Sequence, residues 1–488
     1  MEATCVRFDD LSPGGSGSFG LAGEIDEFTA RREEDVVPVL AAAEAAAEAG
    51  YWVAGYVGYE AAPALNPLLT VRPRGLHDPM RELPLAHFRA FSSRIELPEI
   101  DSLHYPAGTY SVSGWTPDST RRDYRDSLAV TGRAIMSGEI ERGKYTFRLH
   151  AAFDGDQVAL YRDLLQSQRG PHGAFVDTGR FGLISVSPER FFKVADGVLS
   201  VRPVLSSVRR GRWLEEDAQC EALLPSNGSL GYADRVLLAE TETELAQLGT
   251  LLPRGESPIV SRDRMELLWH LTARVGVRLD PAVDLKRIFE VLFPPLSVTG
   301  VPKPEAMEVI ATTEDTARGV YCGAIGFLAP RGSGGTQASF SVAVRTVVVD
   351  NEEGVAEYGV GTAITNASDV ATAYEEARLK ARVLVDRRPD FQLIERFRED
   401  DGAIARLNPK LSILEESIHY FGYELNRDDA VAALQKAAAN GGSQELELRV
   451  SRSGAMEIVT RPATSWSGSL QEAPVISGCV CADRVSVD

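Results

Sequence analysis

The feature that most constrains the fold is a series of strand-like segments that follow one another with only short turns between them. The segments GVYCGAIGFLAP (319–330), ASFSVAVRTVVVD (338–350) and GVAEYGVGTAI (354–364) are rich in valine or alternate apolar and polar residues, and the glycine-rich turn RGSGG separates the first two. Helical segments are inserted between groups of such strands, and a regular alternation of single strands and helices is missing. The pattern therefore predicts an α+β fold with largely antiparallel β-sheets.

Apolar residues at helical spacing predict the remaining secondary structure. The predicted helices cover residues 36–50, 124–136, 158–168, 232–252, 265–279 and 372–386. Strands are predicted over 51–62 and 144–153, and a β-hairpin over 180–204 that turns at Ala195-Asp196-Gly197.

Composition limits the classes of partner. The 488 residues are 44% hydrophobic and 25% charged, which suits a globular protein with a large core. The formal net charge of −19 opposes binding to nucleic acid or to an anionic membrane, so a small anionic substrate would need a local basic pocket. The sequence has neither a basic leader followed by an apolar run nor a stretch of about 20 apolar residues, and a cytoplasmic location is expected. The five scattered cysteines are expected to be free thiols.

A polar, helix-ending step at residues 387–390 predicts a domain boundary. We expect three parts. Residues 1–120 and 121–385 form the N-terminal part and the main part of one larger fold, and residues 391–488 form a small C-terminal α+β module.

Five segments, in this order, resemble the successive signatures of chorismate-utilising enzymes. They are AGYVGYEAAPALN (54–66), SVSPERFF (185–192), LFPPLSVTGVPKPEAMEVI (292–310), RGVYCGAIGFL (318–328) and AYEEARLKA (373–381). The first is most similar to aminodeoxychorismate synthase component I. The resemblance covers roughly residues 15–385 and implies a sandwich of antiparallel sheets flanked by helices.

The resemblance also implies a reaction and the residue types that it needs. In this family the C4 hydroxyl of chorismate is displaced, or C2 is attacked, with the help of a Mg²⁺-bound carboxylate and a general acid. Such chemistry requires acidic ligands for a hard cation, a proton donor beside the leaving hydroxyl, and donors for the other carboxylate.

Eleven positions match the family's site. By resemblance, Glu189, His270 and Lys380 are the predicted catalytic residues, with Glu189 as the general acid, and Asp234 and Glu376 are the predicted Mg²⁺ ligands. The predicted substrate-binding residues are Thr299, Gly300, Tyr321, Arg345, Gly359 and Gly361.

Several of these side chains also have a purely structural interpretation. Glu376 and Lys380 could form an ordinary i,i+4 pair on a helix surface, and Arg345 could form a structural salt bridge. A histidine such as His270 is usually a hydrogen-bonded structural residue, and Glu189 could be a solvated hairpin carboxylate.

The sequence departs from the family pattern at a position that affects the reaction. Aminodeoxychorismate synthases carry P-x-K-G-T, whose lysine can attack C2, whereas this chain has Leu205, Ser206 and Ser207 at the K-G-T positions. Leucine has no lone pair, so covalent catalysis through this position is lost. Anthranilate synthases also lack this lysine and use ammonia at C2.

Other departures remove polar groups. Isochorismate and salicylate synthases use a lysine base where this chain has Arg142, and an arginine stays protonated and is a poor base. Residues 230–232 replace a Lys-Asp-Arg triplet, and Ala373 stands where many relatives have glutamate.

Residues 391–488 resemble the N-terminal half of aminodeoxychorismate lyase, a pyridoxal-phosphate enzyme, without the part that would supply its Schiff-base lysine. No pyridoxal phosphate is expected there, and the module could serve packing or homodimer formation. The sequence has no glutaminase motif, so an aminating enzyme would take ammonia from solution or from a separate glutamine amidotransferase.

Three functions remain open from the sequence. The first is a Mg²⁺-dependent lyase or transferase that acts on chorismate or a close derivative in a specialised pathway, by amination or elimination. The second is a catalytically silent relative that binds a ligand or partner, and the third is a scaffold recruited to other chemistry on another carboxylated substrate.

Overall fold

The structure is a computed structural model, and it describes residues 5–12, 15, 17–98, 108–225, 230–253, 260–332, 336–366, 368–386, 391–439 and 443–462. The chain forms two compact units. Unit 1 comprises Met1–Arg210 and Cys220–Arg388, and unit 2 comprises Gly211–Gln219 and Pro389–Asp488. The three-part division drawn from the sequence stays a prediction.

The helices lie mostly between groups of strands. They are α1 (Glu33–Glu48), α2 (Ala62–Leu65), α3 (Arg121–Met136), α4 (Gln157–Gln168), α5 (Leu214–Ala222), α6 (Tyr232–Ala246), α7 (Leu285–Leu292), α8 (Lys303–Thr313), α9 (Val370–Ala381), α10 (Leu407–Phe421) and α11 (Arg427–Ala438), with short 3₁₀ turns at Tyr59–Ala61 and Arg382–Leu384. No helix in the described part of the chain is long and apolar enough to cross a membrane.

Twenty-four strands are described. They are β1 (Val6–Asp10), β2 (Gly17–Ala30), β3 (Trp52–Val57), β4 (Ala86–Leu97), β5 (Tyr110–Val112), β6 (Thr116–Pro117), β7 (Gly143–Gly155), β8 (His172–Asp177), β9 (Phe181–Ser187), β10 (Arg190–Ala195), β11 (Val198–Arg202), β12 (Val204–Arg209), β13 (Gly249–Leu251), β14 (Val260–Arg264), β15 (Leu268–Ala273), β16 (Val275–Leu279), β17 (Ala324–Leu328), β18 (Thr336–Val342), β19 (Thr346–Asp350), β20 (Val355–Ile364), β21 (Leu393–Asp400), β22 (Ala403–Ile404), β23 (Ser443–Val450) and β24 (Met456–Pro462).

Unit 1 is built on one large antiparallel sheet. Hydrogen-bonded neighbours run in the order β13, β16, β11, β10, β18, β17, β3, β4, β2, β1, β8, β9, β19, β20 and β7, and β5 and β6 pair with β7. Side chains from distant parts of this order, such as Tyr56 of β3 and Val348 of β19, share one core. The sheet therefore folds back on itself as a sandwich, and the predicted α+β class is confirmed.

Helices cover the outer faces of the sandwich. One core joins α1, α6 and α7 to the sheet, with Phe192 and Phe289 fully buried in it. A second core joins α3, α4, α8 and α9 to the sheet around Tyr358 and Val360 of β20. These two cores hold β7, β20 and α9 in fixed positions at the site described below.

A separate three-stranded sheet is formed by β12, β15 and β14, and it places Ser207 directly opposite His270. The helix predicted over residues 265–279 is therefore wrong, because this segment forms β15 and β16. Every residue of β15 is buried, so the alternation that marks a half-exposed strand is missing and the apolar run resembles a helix.

Two other predicted elements are interrupted. The strand predicted over 338–350 is divided into β18 and β19 by residues 343–345, where Arg345 adopts a left-handed backbone conformation with φ of 53°. The helix predicted over 232–252 ends at Ala246, and residues 249–251 form β13.

Unit 2 has its own core. Its four strands pair in the order β22, β21, β23 and β24, and α10 and α11 pack on them through Leu411, Leu414 and Leu434. The register of β21 against β23 places Phe397 opposite Leu446, and both are fully buried.

Candidate active site

A cavity of about 630 Å³ lies within unit 1, where β7, β12, β15, β20, α6 and α9 meet. Nine of the eleven predicted site residues line it. They are Glu189, His270, Lys380, Tyr321, Arg345, Gly359, Gly361, Asp234 and Glu376. Residues separated by up to 191 positions in sequence are thus brought to one cavity, from Glu189 to Lys380.

Glu189 lies in the turn between β9 and β10 and is buried. Its Oε1 accepts a hydrogen bond from the backbone N–H of Val204 at 3.2 Å, and Ser187 Oγ accepts one from the Glu189 N–H at 3.1 Å. Burial raises the pKa of Glu189, although Ser297, Lys144 and Arg142 partly oppose this effect. The shift favours the protonated form of the carboxyl group, which is the form that a general acid needs.

His270 on β15 is held at both ring nitrogens. Arg345 Nη2 lies 3.1 Å from Nε2, and Ser207 Oγ lies 2.7 Å from Nδ1. Because a guanidinium group can only donate, Nε2 accepts, and the neutral ring donates its Nδ1 proton to Ser207. Burial and the charge of Arg345 lower the pKa of His270 well below its ordinary value. His270 therefore orients Arg345 and Ser207, and it is not placed to take a proton from the Ser207 hydroxyl.

Arg345 supplies a buried positive charge to the cavity wall. It is 6% exposed, and burial lowers its pKa to about 10, so that it is still protonated at neutral pH. Nη1 has no hydrogen-bond partner among the described residues, and no carboxylate there lies within ion-pair distance of the guanidinium. Because an unpaired buried charge is costly, this group is suited to binding an anionic ligand.

Tyr321 and two glycines of β20 form another part of the wall. A Cβ atom at Gly359 would lie 2.2 Å from Cγ of Tyr321, and one at Gly361 would lie 2.3 Å from the Tyr145 carbonyl oxygen. The guanidinium carbon of Arg148 lies 5.0 Å from the centroid of the Tyr321 ring, which is within the range of a cation–π contact. Glycine is required at both positions because another group occupies the space of a side chain.

Thr299 and Gly300 do not line the cavity. Thr299 Oγ1 donates to the Pro295 carbonyl at 3.0 Å, and a Cβ atom at Gly300 would lie 2.2 Å from the Arg142 carbonyl oxygen. The next residue, Val301, exchanges backbone hydrogen bonds with Arg142. The loop formed by residues 295–301 therefore supports the backbone of Arg142, and Ser297 is the residue of this loop that lines the cavity.

Lys380 and Glu376 face the cavity from α9. Lys380 Nζ lies 2.6 Å from Glu376 Oε1 and donates to the Gly361 carbonyl at 3.0 Å. The i,i+4 pair expected of a helix surface is thus present, and it also lines the cavity and ties α9 to β20.

Asp234 faces the cavity from the first turn of α6, and its partner is Arg142. Arg142 Nη1 donates to Asp234 Oδ1 at 3.4 Å, while Nη2 donates to the Leu205 carbonyl at 2.9 Å. Arg142 and Asp234 are both buried, and Leu205 is 1% exposed. The apolar Leu205 side chain thus lies where the resemblance places a reactive lysine.

The acidic residues allow a test of the predicted metal site. Among the described residues, no group of three or more His, Cys, Asp or Glu side chains is close enough together to hold a metal ion. Asp234 and Glu376 both line the cavity, and Mg²⁺ is commonly held by one or two carboxylates with substrate oxygens and water completing its coordination. Both carboxylates are ligands of the type that such a site uses, and each has a cationic partner, Arg142 or Lys380, that would compete with the ion.

Several polar residues of the cavity were given no site role from the sequence, among them Lys144 and Ser207. Ser207 and His270 are 63 residues apart, and only the pairing of β12 with β15 brings them together. Lys144 lies two residues after Arg142, and residues at that spacing in an extended segment share a face. The two-residue spacing from Arg142 was thus a signal in the sequence that could have identified Lys144 as a cavity residue.

The cavity differs in charge from the whole molecule. Four basic residues line it, namely Arg142, Lys144, Arg345 and Lys380, together with four acidic residues, namely Glu141, Glu189, Asp234 and Glu376. Burial raises the pKa of Glu189 and lowers that of Lys144 to about 8, so neutralisation of both residues would leave the positive and negative charges of the cavity equal. A chain with a net charge of −19 therefore provides a local site for a small anion.

The buried arginine and the buried glutamate thus lie in one cavity of a sandwich fold. The family of chorismate binding enzymes matches residues 4–229 and 237–386, and the chain belongs to this family. The match ends before most of unit 2, and the resemblance of residues 391–488 to a lyase stays a prediction.

The sequence is similar to characterised synthases at low identity. Aminodeoxychorismate synthase component 1 of Escherichia coli (strain K12) is 26% identical over 269 residues, which are 54% of this chain and 56% of that protein. Anthranilate synthase component 1 of Acinetobacter calcoaceticus is 25% identical over 274 residues, which are 54% of this chain and 53% of that protein. The chain thus spans little more than half the length of these relatives.

Solved structures agree with the fold. Anthranilate synthase component I from Streptococcus pneumoniae TIGR4 superposes with a TM-score of 0.60 at 19% identity and covers 79% of this chain and 94% of its own. MenF, the menaquinone-specific isochorismate synthase from Escherichia coli, gives a TM-score of 0.57 at 17% identity and covers 78% and 88%. The predicted chorismate-binding-enzyme fold is confirmed.

Proposed function

We propose that the chain is an enzyme that displaces the C4 hydroxyl of chorismate or a close derivative, by amination or elimination. The observation that supports this most strongly is Arg345, a buried guanidinium in the cavity wall with an unpartnered Nη1. A substrate carboxylate would satisfy that group through charge-assisted hydrogen bonds. Family membership then favours chorismate among small carboxylated ligands.

Glu189 is the proposed general acid. Displacement of a hydroxyl group requires a proton on the leaving oxygen, and burial raises the pKa of Glu189, which favours its proton-donating form. His270 stays neutral and fixes the orientation of Arg345, so that the carboxylate-binding group is already in place before substrate arrives.

Mg²⁺ is proposed as a cofactor that binds together with the substrate. Asp234 and Glu376 would hold it, and when bound it would neutralise charge on a substrate carboxylate. Arg142 and Lys380 each interact with one of these carboxylates, so the ion should bind weakly until the substrate contributes its own oxygens.

The ammonia for an amination would come from solution or from a separate glutamine amidotransferase. Two of the similar proteins carry the name component 1, which supports a partner subunit. A cytoplasmic location and a homodimer stay predictions.

A ligand-binding protein without catalysis is the second candidate. Leu205 favours this candidate because it places an apolar side chain where the resemblance expects a reactive lysine. The Arg142–Asp234 ion pair also favours it, because it occupies one of the two predicted metal ligands. Such a protein would bind chorismate through Arg345 and leave it unchanged.

One experiment separates the two candidates. The purified chain is incubated with chorismate, Mg²⁺ and ammonium, products are followed by mass spectrometry, and chorismate binding is measured by calorimetry. We expect turnover in the parent chain, a kcat reduced roughly 100- to 10,000-fold with little change in binding in Glu189→Gln, and binding weakened roughly 10- to 100-fold in Arg345→Gln.

Matched controls lie on α7, away from the cavity. Arg287→Gln and Glu290→Gln remove the same charges from partly exposed side chains and should leave both measurements unchanged. Binding without any product would support the second candidate, and absence of chorismate binding in the parent chain would contradict both.

A further inference from the structure

Lys144 is a polar residue of the cavity that neither the family resemblance nor the proposed mechanism uses. It is the second residue of β7, where it pairs with Ala363 of β20, and its side chain lines the cavity. Its Nζ donates to the Ser297 carbonyl at 3.4 Å, which is a long and weak contact. The amine is therefore held in the cavity with most of its hydrogen-bonding capacity uncommitted.

Several other lysines, unlike Lys144, have an ion-pair partner. Lys380 lies 2.6 Å from Glu376, Lys303 lies 2.7 Å from Glu244, and Lys286 lies 2.7 Å from Glu290. Among the described residues, no carboxylate lies within 4 Å of Lys144 Nζ. Lys144 is only partly buried, and a lysine that is withdrawn from water even in part without a carboxylate partner is less well stabilised as a cation, which is the environment of lysines that act as bases.

We propose that Lys144 is the general base of this site and removes a proton from ammonia as it attacks the ring. The inference rests on the proposed amination of chorismate. It places the base two residues further along the chain than Arg142, which cannot perform this role because a guanidinium group stays protonated.

The step balances as follows. The nitrogen of ammonia bonds to C2, two ring double bonds shift, and the bond between C4 and its hydroxyl oxygen breaks. Glu189 gives its proton to the departing hydroxyl, which leaves as water, and Lys144 takes one proton from the new C–N nitrogen. Transfer of that proton from Lys144 to the Glu189 carboxylate then restores both groups, so ammonia is consumed, water is released, and no oxidant is needed.

The charges around Lys144 are consistent with this role. Burial, followed by the nearby Lys380, lowers the pKa of Lys144 to about 8; Arg142 acts in the same direction, and Cys322 and Glu189 oppose it. Because burial raises the pKa of Glu189, both shifts favour the neutral pair in which the carboxyl group holds the proton and the amine is unprotonated.

The expected pH dependence has two limbs. Below about pH 8 the free amine of Lys144 is lost to protonation, so the rate should rise with pH toward that value. Glu189 supplies the opposing limb, because the rate should fall as rising pH removes the proton that its carboxyl group must donate.

The test compares Lys144→Arg and Lys144→Gln with Lys286→Arg, an exposed control on α7, in the full chain. We expect Lys144→Arg to lose roughly 100-fold or more in kcat, to bind chorismate within about threefold of the parent, and to lose the rising limb of the pH profile. Lys286→Arg should match the parent in all three measurements.

A second readout does not depend on turnover. The chain has seven lysines, so competitive acetylation followed by peptide mass spectrometry can measure the pH dependence of each amine. In the unliganded chain Lys144 should reach half of its full reactivity near pH 8, well below the value for Lys286.

The outcomes distinguish this inference from the proposed function. A parent chain that turns over chorismate while Lys144→Arg keeps its rate and its pH profile overturns the role of Lys144 alone. A Lys144 that titrates like Lys286 overturns it as well. Absence of turnover in the parent under all conditions overturns both the base and the reaction that it serves.

Discussion

At the scale of single residues, Arg142 affects both the proton chemistry and the predicted metal site. Its guanidinium replaces a base that isochorismate-type chemistry requires, and it also lies 3.4 Å from Asp234, a predicted metal ligand. A fixed positive charge at this distance opposes the approach of a divalent cation to the same carboxylate. One substitution thus accounts for the loss of the base and for the weak metal binding that we expect.

Replacing Arg142 with glutamine should strengthen Mg²⁺ binding in the absence of substrate. Two unit charges about 4 Å apart near a protein surface interact by about 4 kcal/mol, so the gain in affinity should be at least roughly tenfold. Isothermal titration calorimetry with Mg²⁺ measures the change. Glu376→Gln should reduce affinity in the same assay, and equal affinity in the parent, Arg142→Gln and Glu376→Gln would contradict the assignment of the ligands.

At the scale of elements, the cavity depends on how closely β20 approaches its neighbours. Gly359 and Gly361 are two residues apart and lie on the same face of β20. The ring of Tyr321 occupies the space beside Gly359, and the backbone of β7 occupies the space beside Gly361. The small sheet of β12, β15 and β14 forms another wall and brings Ser207 to His270. Substrate binding by the two glycines stays a prediction, and the structure gives Gly359 a steric role beside Tyr321 and Gly361 a steric role beside the backbone of Tyr145.

Replacing Gly359 with alanine should disturb that wall. The added methyl group would lie 2.2 Å from the Tyr321 ring, so either the ring or β20 must move. We expect a loss of about 1–3 kcal/mol in the free energy of unfolding and weaker chorismate binding, measured by denaturant unfolding and calorimetry.

The matched control is Gly132→Ala in α3. No atom lies within 4 Å of a Cβ built at Gly132, and alanine favours helix over glycine by up to about 1 kcal/mol. This variant should be as stable as the parent or more stable. Unchanged stability and binding in Gly359→Ala would show that Tyr321 is not confined by β20.

At the scale of the whole molecule, the cavity belongs to unit 1, whereas α10, α11 and the four strands β21–β24 form the core of unit 2. The family match covers most of unit 1 and ends at residue 386. Each unit therefore has its own hydrophobic core, and the proposed chemistry needs side chains of unit 1 alone.

Chorismate binding should accordingly protect unit 1 from hydrogen exchange. A ligand at about 100 times its Kd stabilises the form that binds it by about 2.7 kcal/mol, which slows exchange in the segments whose opening breaks the site. Hydrogen-exchange mass spectrometry should show slower exchange in peptides from β12, β15 and α9. Peptides from α10 and α11 should not change, and protection confined to those two helices would contradict the placement of the site in unit 1.

Much of this protein follows from local pattern in the sequence. Alternating and valine-rich segments predicted antiparallel sheets, and helical spacing predicted α1, α3, α4 and α6, because these elements bury one face and the period of that face is visible in the chain. The family resemblance also pointed to nine residues that the structure places around one cavity.

Other features depended on contacts between distant segments. β15 is buried on both faces and carries no visible period, so only its pairing with β12 and β14 distinguishes it from a helix. Lys144 lines the cavity, whereas Thr299 lies behind its wall. This difference depends on the packing of β7 and of the loop formed by residues 295–301. The tautomer of His270 is set by Arg345, 75 residues away. Local periodicity can be read directly from the sequence. The burial of a side chain, the charges around it and the site of its proton are decided only when residues distant in sequence come together.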